Sequence, residues 1–484
     1  MVRAKRELSK HAQNKWVILA LLALAQFMVI LDVAIVNVAL PSINRELHFA
    51  AGNLQWVITA YTLTFGGFLL LGGRAADLFG RRKIFIGSVA AFALASLACG
   101  LAQSETQLII TRAIQGLAAA IMSPAALSIV LSEFDEGKER NTAMGVWAAV
   151  SAGGAAAGVL LGGVLTQYLN WRWNFFVNVP VGIIVVYGAM RLLPHHIGEE
   201  NRKINLDLPG AITATAGLMS IVYGLSKAPR NGWDSMTVWG FIAAGLALLT
   251  FFIWNERRAK QPLMPLEIFK IRNLAGANAA FLVIACTMFS MFFFQTLYIQ
   301  TVLNYSPLKT GVSFLPVTFI IAIISGIVSN LVGKIGYKPP MNLGPLVLAL
   351  GLFIISQTME VGGDYWHNVF PGLATAAVGM GLTFVSGTLA ATSGVPKHFS
   401  GLASGILNTS QQVGGAIGLA ILSAVAFSTV KAETSAGGPA NYAQVHGYQA
   451  GLMVGVGLAL SAAVVVFLVV KNHKVDAKEA MLAG

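Results

Sequence analysis

Oily and polar stretches alternate along the whole chain, dividing it into fourteen apolar runs joined by short polar connections. A membrane-crossing helix needs about 20 mostly apolar residues, because only helices and closed barrels satisfy their own backbone hydrogen bonds in hydrocarbon. The runs predict helices α1 at 16–40, α2 at 53–73, α3 at 84–102, α4 at 107–131, α5 at 142–168, α6 at 174–193 and α7 at 207–226. The series continues with α8 at 237–255, α9 at 274–300, α10 at 308–331, α11 at 341–360, α12 at 368–391, α13 at 401–428 and α14 at 448–471. The basic N-terminus imitates a secretory signal, but the run after it exceeds the usual apolar core of about 7–15 residues. It is read as the first span.

Lysine and arginine set the orientation. With the N-terminus placed in the cytoplasm, 25 of the 32 basic residues fall in inner connections and tails. The outer connections hold only Arg45, Arg172, Lys227, Arg230, Lys309 and Lys431, and Arg112 lies inside α4. Both ends are therefore expected to be cytoplasmic. A faint internal repeat sharpens the picture: GGRAADLFGRRK at 72–83 follows α2, VGKIGYK at 332–338 follows α10, and α5 and α13 are both rich in glycine. These match if α1–α6 and α9–α14 are equivalent halves. The expected architecture is an all-α membrane protein of two six-helix bundles, 16–193 and 274–471, with an inserted pair α7–α8 in a linker, 194–273, and tails at 1–15 and 472–484.

Composition agrees with the pattern. Of 484 residues, 56% are hydrophobic and 11% charged, against roughly 25% charged in soluble domains. The net charge of +12 would suggest nucleic acid if it formed one patch, but it is scattered in short clusters at helix ends, so lipid is the expected partner. Cys99 and Cys286 both lie in apolar runs, and no disulfide framework or metal-ligand spacing is present. No phosphate loop, nucleophile with its base, or nucleotide-binding module is recognisable, which argues against an enzyme. No connection is long enough to fold as a domain through which a membrane sensor would act.

Asp32 in α1 and Arg112 in α4 are the only formal charges away from the helix ends. Each costs about 2.5–3.5 kcal/mol at mid-helix on insertion scales, so both are expected to face a cavity or a partner. At 1.5 Å per residue Asp32 sits about 6 Å, and Arg112 about 10 Å, outward of the helix centre. Those depths permit contact, direct or through water. For a carboxyl group in low dielectric, desolvation favours the neutral form and a guanidinium the ionised one, so water or a cationic substrate tips the balance. Asp32 is thus a candidate proton carrier; the pair also suits a structural bridge between α1 and α4.

Gly73, Arg74, Asp77, Gly80, Arg81 and Arg82 are read as a gating loop between α2 and α3, its glycines turning the chain and its cations facing anionic lipid. Gly154, Gly158 and Gly162 share one face of α5 and, with the neighbouring Gly163, predict close helix packing, as a seal between the halves or as static packing. On α9, Met288, Phe289, Met291, Phe292, Phe293, Phe294 and Tyr298 are too dense for one face, so some are expected to meet lipid. Gln26, Asn37, Trp56, Tyr61, Phe292, Gln295, Gln411 and Gln412 are cavity candidates, and Trp171 and Trp173 fit an interfacial belt.

Several of these stretches together resemble the fourteen-helix drug:proton antiporters of the major facilitator superfamily. LDVAIVNVALP at 31–41 is similar to the helix 1 motif of that branch, GRAADLFGRRK at 73–83 to the superfamily loop motif, and Arg112, Gln115 and Gly116 to its helix 4 motif. WRWNFFVNVPVG at 171–182, PLMPLEIF at 262–269 and GLASGILNTSQQVGGAIG at 401–418 also resemble this branch. The helix 5 motif departs from it, with Val159 where the family carries proline. The resemblance implies alternating access and export of hydrophobic or cationic amphipathic compounds from a bacterial plasma membrane against inward proton flow. It also implies a proton-coupling role for Arg112 and no cofactor beyond the proton gradient. Export of one endogenous metabolite, lipid or siderophore is the alternative; a non-transporting sensor ranks lower.

Overall fold

The computed structural model describes residues 2–50, 52–134, 137–193, 206–396 and 399–473. The 194–205 connection and the C-terminal tail beyond 473 lie outside these. Among the described residues fourteen helices are long and apolar enough to cross a membrane. They are α1 (Val2–Leu47), α2 (Trp56–Phe79), α3 (Arg81–Gly100), α4 (Glu105–Glu133), α5 (Lys138–Tyr168), and α6 (Asn178–Leu192, entered by a turn at Trp173–Phe176). Next come α7 (Leu208–Asn231), α8 (Met236–Arg258), α9 (Arg272–Leu297, continued by a π turn at Tyr298–Val302) and α10 (Pro307–Ile335). The last are α11 (Lys338–Thr358), α12 (Phe370–Thr392, entered by a turn at Tyr365–Asn368), α13 (Ser400–Ser435) and α14 (Ala440–Val469). Fourteen crossings bring both ends of the chain to one side, here the termini side.

The helices outrun the apolar stretches that predict them, because the backbone ladder continues after the hydrocarbon ends. α1 passes Pro41 to Leu47, and α13 and α14 extend until only 436–439 separates them. The expected gating loop is mostly helix for the same reason: Gly73, Arg74 and Asp77 belong to α2, and Arg81 and Arg82 open α3. Gly80 alone turns the chain, at φ +94°, and Gly336 makes the equivalent turn between α10 and α11 at φ +84°. Both need the left-handed backbone that glycine adopts without penalty.

α1–α6 pack on one another, as do α9–α14, while α7 and α8 pair and α7 lies against the seam where α2 meets α13. On the side away from the termini, one apolar core runs through both halves, from Leu31, Ile35 and Val57 to Met291, Phe294 and Leu297. Toward the termini, the first half keeps a core of its own, around Leu22, Phe85, Ala119 and Val185. The halves are thus joined at the far side.

The glycine face of α5 meets α1 rather than the other half. A Cβ on Gly158 would stand 2.6 Å from that of Ala34 and 3.0 Å from the Leu31 carbonyl oxygen, and Gly154 and Gly162 abut Ile30 and Ile35. Gly163 makes the contact between halves, where an added Cβ would lie 2.8 Å from the Cα of Leu308, while Gly311 of α10 sits on the carbonyl of Val159. Further along α5 and α10, Gly145, Gly153 and Gly326 have open space around them.

The α9 aromatics also depart from expectation, and none is exposed. Met291, Phe293, Phe294 and Tyr298 are buried, and Met288, Phe289 and Phe292 are half-buried, because α9 is wrapped by α12, α13, α14 and α1. Trp171 likewise leaves the interfacial belt: it is buried, its indole N–H donates to Glu46 and Arg172 stacks on its ring, whereas Trp173 is exposed.

Gly158→Leu is expected to destabilise the protein by about 1–3 kcal/mol through overpacking against α1, and Gly145→Leu to leave it unchanged. Thermal unfolding of the purified variants in detergent checks the contrast.

Candidate functional site

α1 and α4 cross so that Asp32 and Arg112 meet directly. The guanidinium Nη1 donates to the Asp32 Oδ2 at 2.5 Å. Both are removed from solvent, at 0% and 1% exposure, which a charged pair tolerates only when its remaining donors and acceptors are matched. They are matched here. Gln115, one turn along α4, donates its amide to Asp32 Oδ1 at 2.8 Å and accepts Arg112 Nη1 at 2.7 Å. Asn178, in the first turn of α6, gives its two amide hydrogens to Asp32 Oδ1 and Ser96 Oγ, each at 3.0 Å. Ser96 of α3 then donates to the Phe175 carbonyl at 2.9 Å.

The remaining reach of Arg112 is toward α2. Its Nε donates to the Val57 carbonyl at 2.9 Å, and the guanidinium carbon lies 4.3 Å from the centre of the Tyr61 ring, a cation–π contact. Chemically, the arginine has resting places besides the carboxylate: a backbone oxygen, a side-chain amide and a ring face. The Asp32 contact can therefore be given up without stranding the guanidinium in hydrocarbon.

Among the other candidates, Tyr61 joins this network and its hydroxyl has no hydrogen-bond partner. Gln26 accepts from Ser123 at 2.9 Å, tying α1 to α4, and Asn37 bonds back to the Val33 carbonyl of its own helix. Trp56 faces the seam, in an apolar cluster with Val222, Leu225 and Ala416. Phe292 packs on Phe314 of α10, ring centres 5.6 Å apart. Gln295 is fully buried with neither amide atom bonded. Gln411 is half-buried on α13 beside Gln412, whose Cβ abuts Gly66 of α2.

The cations of the α2–α3 turn are committed to carbonyl oxygens of neighbouring segments. Arg74 donates to the Gln261 and Pro262 carbonyls, both at 2.8 Å; Arg81 pairs with Asp77 at 3.0 Å and reaches the Ser128 carbonyl; Arg82 donates to the Met190 carbonyl at 2.6 Å. Met190 lies in the last turn of α6, where backbone oxygens lack intrahelical donors and the helix dipole favours a cation, whereas Ser128 lies one turn before the end of α4. Lys338, opening α11, does the same for the Phe467 carbonyl at the end of α14, at 2.8 Å. Arg82 and Lys338 are thus equivalent ties in equivalent halves.

Sequence reasoning passes over Asn178 and Ser96 and gives Arg74 no specific acceptor. The available signal was a polar side chain inside an otherwise apolar helix. Asn178 and Ser96 both show it.

The family model described as Major Facilitator Superfamily matches residues 22–419. The puromycin resistance protein pur8 of Streptomyces alboniger is 38% identical over 475 residues, covering 96% of this chain and 93% of its own. The cephamycin export protein CmcT of Amycolatopsis lactamdurans is 38% identical, with 89% and 87% covered. Among solved structures, the POT family transporter PepTSo superposes with a TM-score of 0.68 at 16% identity, over 98% of this chain and 99% of that one, a likeness of fold. Fourteen membrane-length helices, twelve of them in two six-helix groups, a charged pair linking α1 to α4, and this match over most of the chain lead to one assignment: the protein belongs to the Major Facilitator Superfamily, among its drug and antibiotic efflux transporters.

Proposed function

We propose that this transporter exports hydrophobic or cationic amphipathic small molecules across the cell membrane in exchange for protons, with Asp32 as the proton carrier and Arg112 modulating its hold. The observation that carries the reading is a wholly buried carboxylate whose cationic partner has other acceptors within reach. A proton arriving at Asp32 cancels its charge, and Arg112 turns fully to Val57, Gln115 and Tyr61. Removing the proton restores the attraction. The proton gradient is the energy source, and no cofactor is invoked.

Alternating access fits the packing. The halves touch at the far side, through Gly163 on Leu308, Gln300 donating to the Val38 carbonyl at 2.8 Å and the Leu308 N–H donating to Gln167, and also along the α2–α13 seam, where a Cβ on Gly405 would lie 2.7 Å from Leu70. The open space around Gly145, Gly153 and Gly326 lies toward the termini. With both ends of the chain cytoplasmic, as the bias of basic residues favours, this is an inward-open state. Phe292, Gln295 and Gln411 are the proposed substrate contacts, since aromatic and amide side chains accommodate varied amphipathic shapes.

Export of one endogenous product is the second reading. It is favoured by the names of relatives, among them a cephamycin export protein and a tetracenomycin C resistance and export protein. Susceptibility profiling of a deletion strain separates the two: a broad shift fits multidrug efflux, and accumulation of a single metabolite fits the dedicated role.

In proteoliposomes, Asp32→Asn is expected to lower pH-gradient-driven substrate flux by about tenfold or more, the equivalent of one lost charge-assisted interaction. Undiminished coupled flux removes Asp32 from the mechanism. Tyr61→Phe keeps the ring under Arg112 and loses only an unbonded hydroxyl, so flux within about twofold of wild type is expected from the small worth of that group.

A further inference from the structure

A second pair of ionisable groups lies on the termini side, away from Asp32. Asp207 precedes α7 as its N-cap, with its backbone at φ +45° and its Oδ1 accepting the Gly210 N–H at 3.2 Å. Glu256, two residues before the end of α8, is 3% exposed. Its Oε2 accepts the Met264 N–H at 2.8 Å, but its Oε1 has no donor. What lies against that oxygen is the other acid. A Cβ built on Gly210 would stand 2.7 Å from Glu256 Oε1 and 2.8 Å from Asp207 Oδ2, so the two carboxyl groups converge on one point.

Two ionised carboxylates do not stay in contact at a buried position; one proton between them turns repulsion into a hydrogen bond. We propose that Asp207 and Glu256 form a proton-binding site, with Glu256 as the acid that donates to an ionised Asp207, and that this proton fastens the strap 259–265 to the inserted helix pair. The partners of Asp207 suit the ionised role. Burial works to raise its pKa, but the hydrogen bonds from Glu256, Asn255, Leu263 and Gly210 outweigh it and hold the group below the usual carboxylate range. No donor other than a proton is on hand for Glu256 Oε1.

The strap is gripped by this pair and by the α2 arginine. Asp207 Oδ2 accepts the Leu263 N–H at 3.2 Å and Glu256 the Met264 N–H, while Arg74 holds the Gln261 and Pro262 carbonyls. Leu263 packs between Leu71 of α2 and Ala211 of α7, and Met264 lies against a cluster that includes Ala403 and Ile406 of α13. The strap therefore touches both halves. Arg74 of α2 holds the strap itself, and the cations that neighbour Glu256 along the chain, Arg257 and Arg258 on α8 and Lys260 on the strap, are exposed. Loss of the shared proton leaves two adjacent negative charges under the strap and loosens its attachment. The proposal does not rest on the direction of transport.

The test uses the full-length protein in lipid nanodiscs. Infrared difference spectra between about pH 6 and about pH 9 are expected to show loss of a protonated carboxyl band in wild type that is absent from both Glu256→Gln and Asp207→Asn. Over the same range, brief trypsin treatment is expected to cut after Arg257, Arg258 and Lys260 about tenfold faster in wild type at the higher pH, relative to total cleavage. In Glu256→Gln, where a permanent amide donor replaces the proton, that cutting stays slow throughout. A carboxyl band shared by wild type and both variants, or strap cleavage with the same pH profile in wild type and Glu256→Gln, overturns the proposal. Asp207→Asn supplies its own donor to Glu256, so the infrared arm holds even if one variant folds poorly.

Discussion

Burying a charge in a low-dielectric interior is the constraint to which the first half answers. Breaking a buried ion pair by removing one partner costs on the order of 3–5 kcal/mol, because the other charge is left without compensation. α1 brings the acid, α4 the base and an amide, α6 a second amide, α3 a hydroxyl and α2 a backbone oxygen and a ring. Five helices besides the glycine-faced α5 are thus fixed in mutual register by one carboxylate. The glycines of α5 complete the arrangement from the other side, allowing α1 to be held close enough for these reaches.

The same economy governs the termini side, where helix ends rather than mid-helix charges need partners. Arg82 and Lys338 each cross from the first turn of one helix to the last turn of another, in positions related by the internal repeat. Gly80 and Gly336 turn the chain just before them. Each half therefore carries its own fastening, and relative movement of the halves leaves those helix ends covered.

Much of this was legible in the chain itself. Fourteen apolar runs became fourteen long helices, since a continuous apolar run of about 20 residues satisfies its backbone in hydrocarbon as a helix, and the isolation of Asp32 and Arg112 pointed to their contact. Facing directions were not legible. Gly158 could have met any neighbour, and only the crossing of α1 turned it inward; some of the α9 aromatics were expected to meet lipid because sequence density cannot show that other helices surround α9. The turn at 72–83 looked like a loop because arginine and aspartate read as solvent-exposed, although a helix continues through them until Gly80. Glu256 was hidden by its place near a helix end, where an acid is ordinarily hydrated, and its burial depends on the strap folding back over it.

One arm of Arg112 rests on the first turn of α2, and that helix touches α13 farther along, where Thr409 donates to the Gly66 carbonyl and the Gln412 Cβ abuts Gly66. In the proposed cycle, a guanidinium that gives up Asp32 while keeping Val57 would act as a lever whose short end is a proton and whose long end is a rod braced against the opposite bundle. On that proposal, chemistry at a single oxygen atom would gain leverage on the larger movement without any side chain bridging the distance between them.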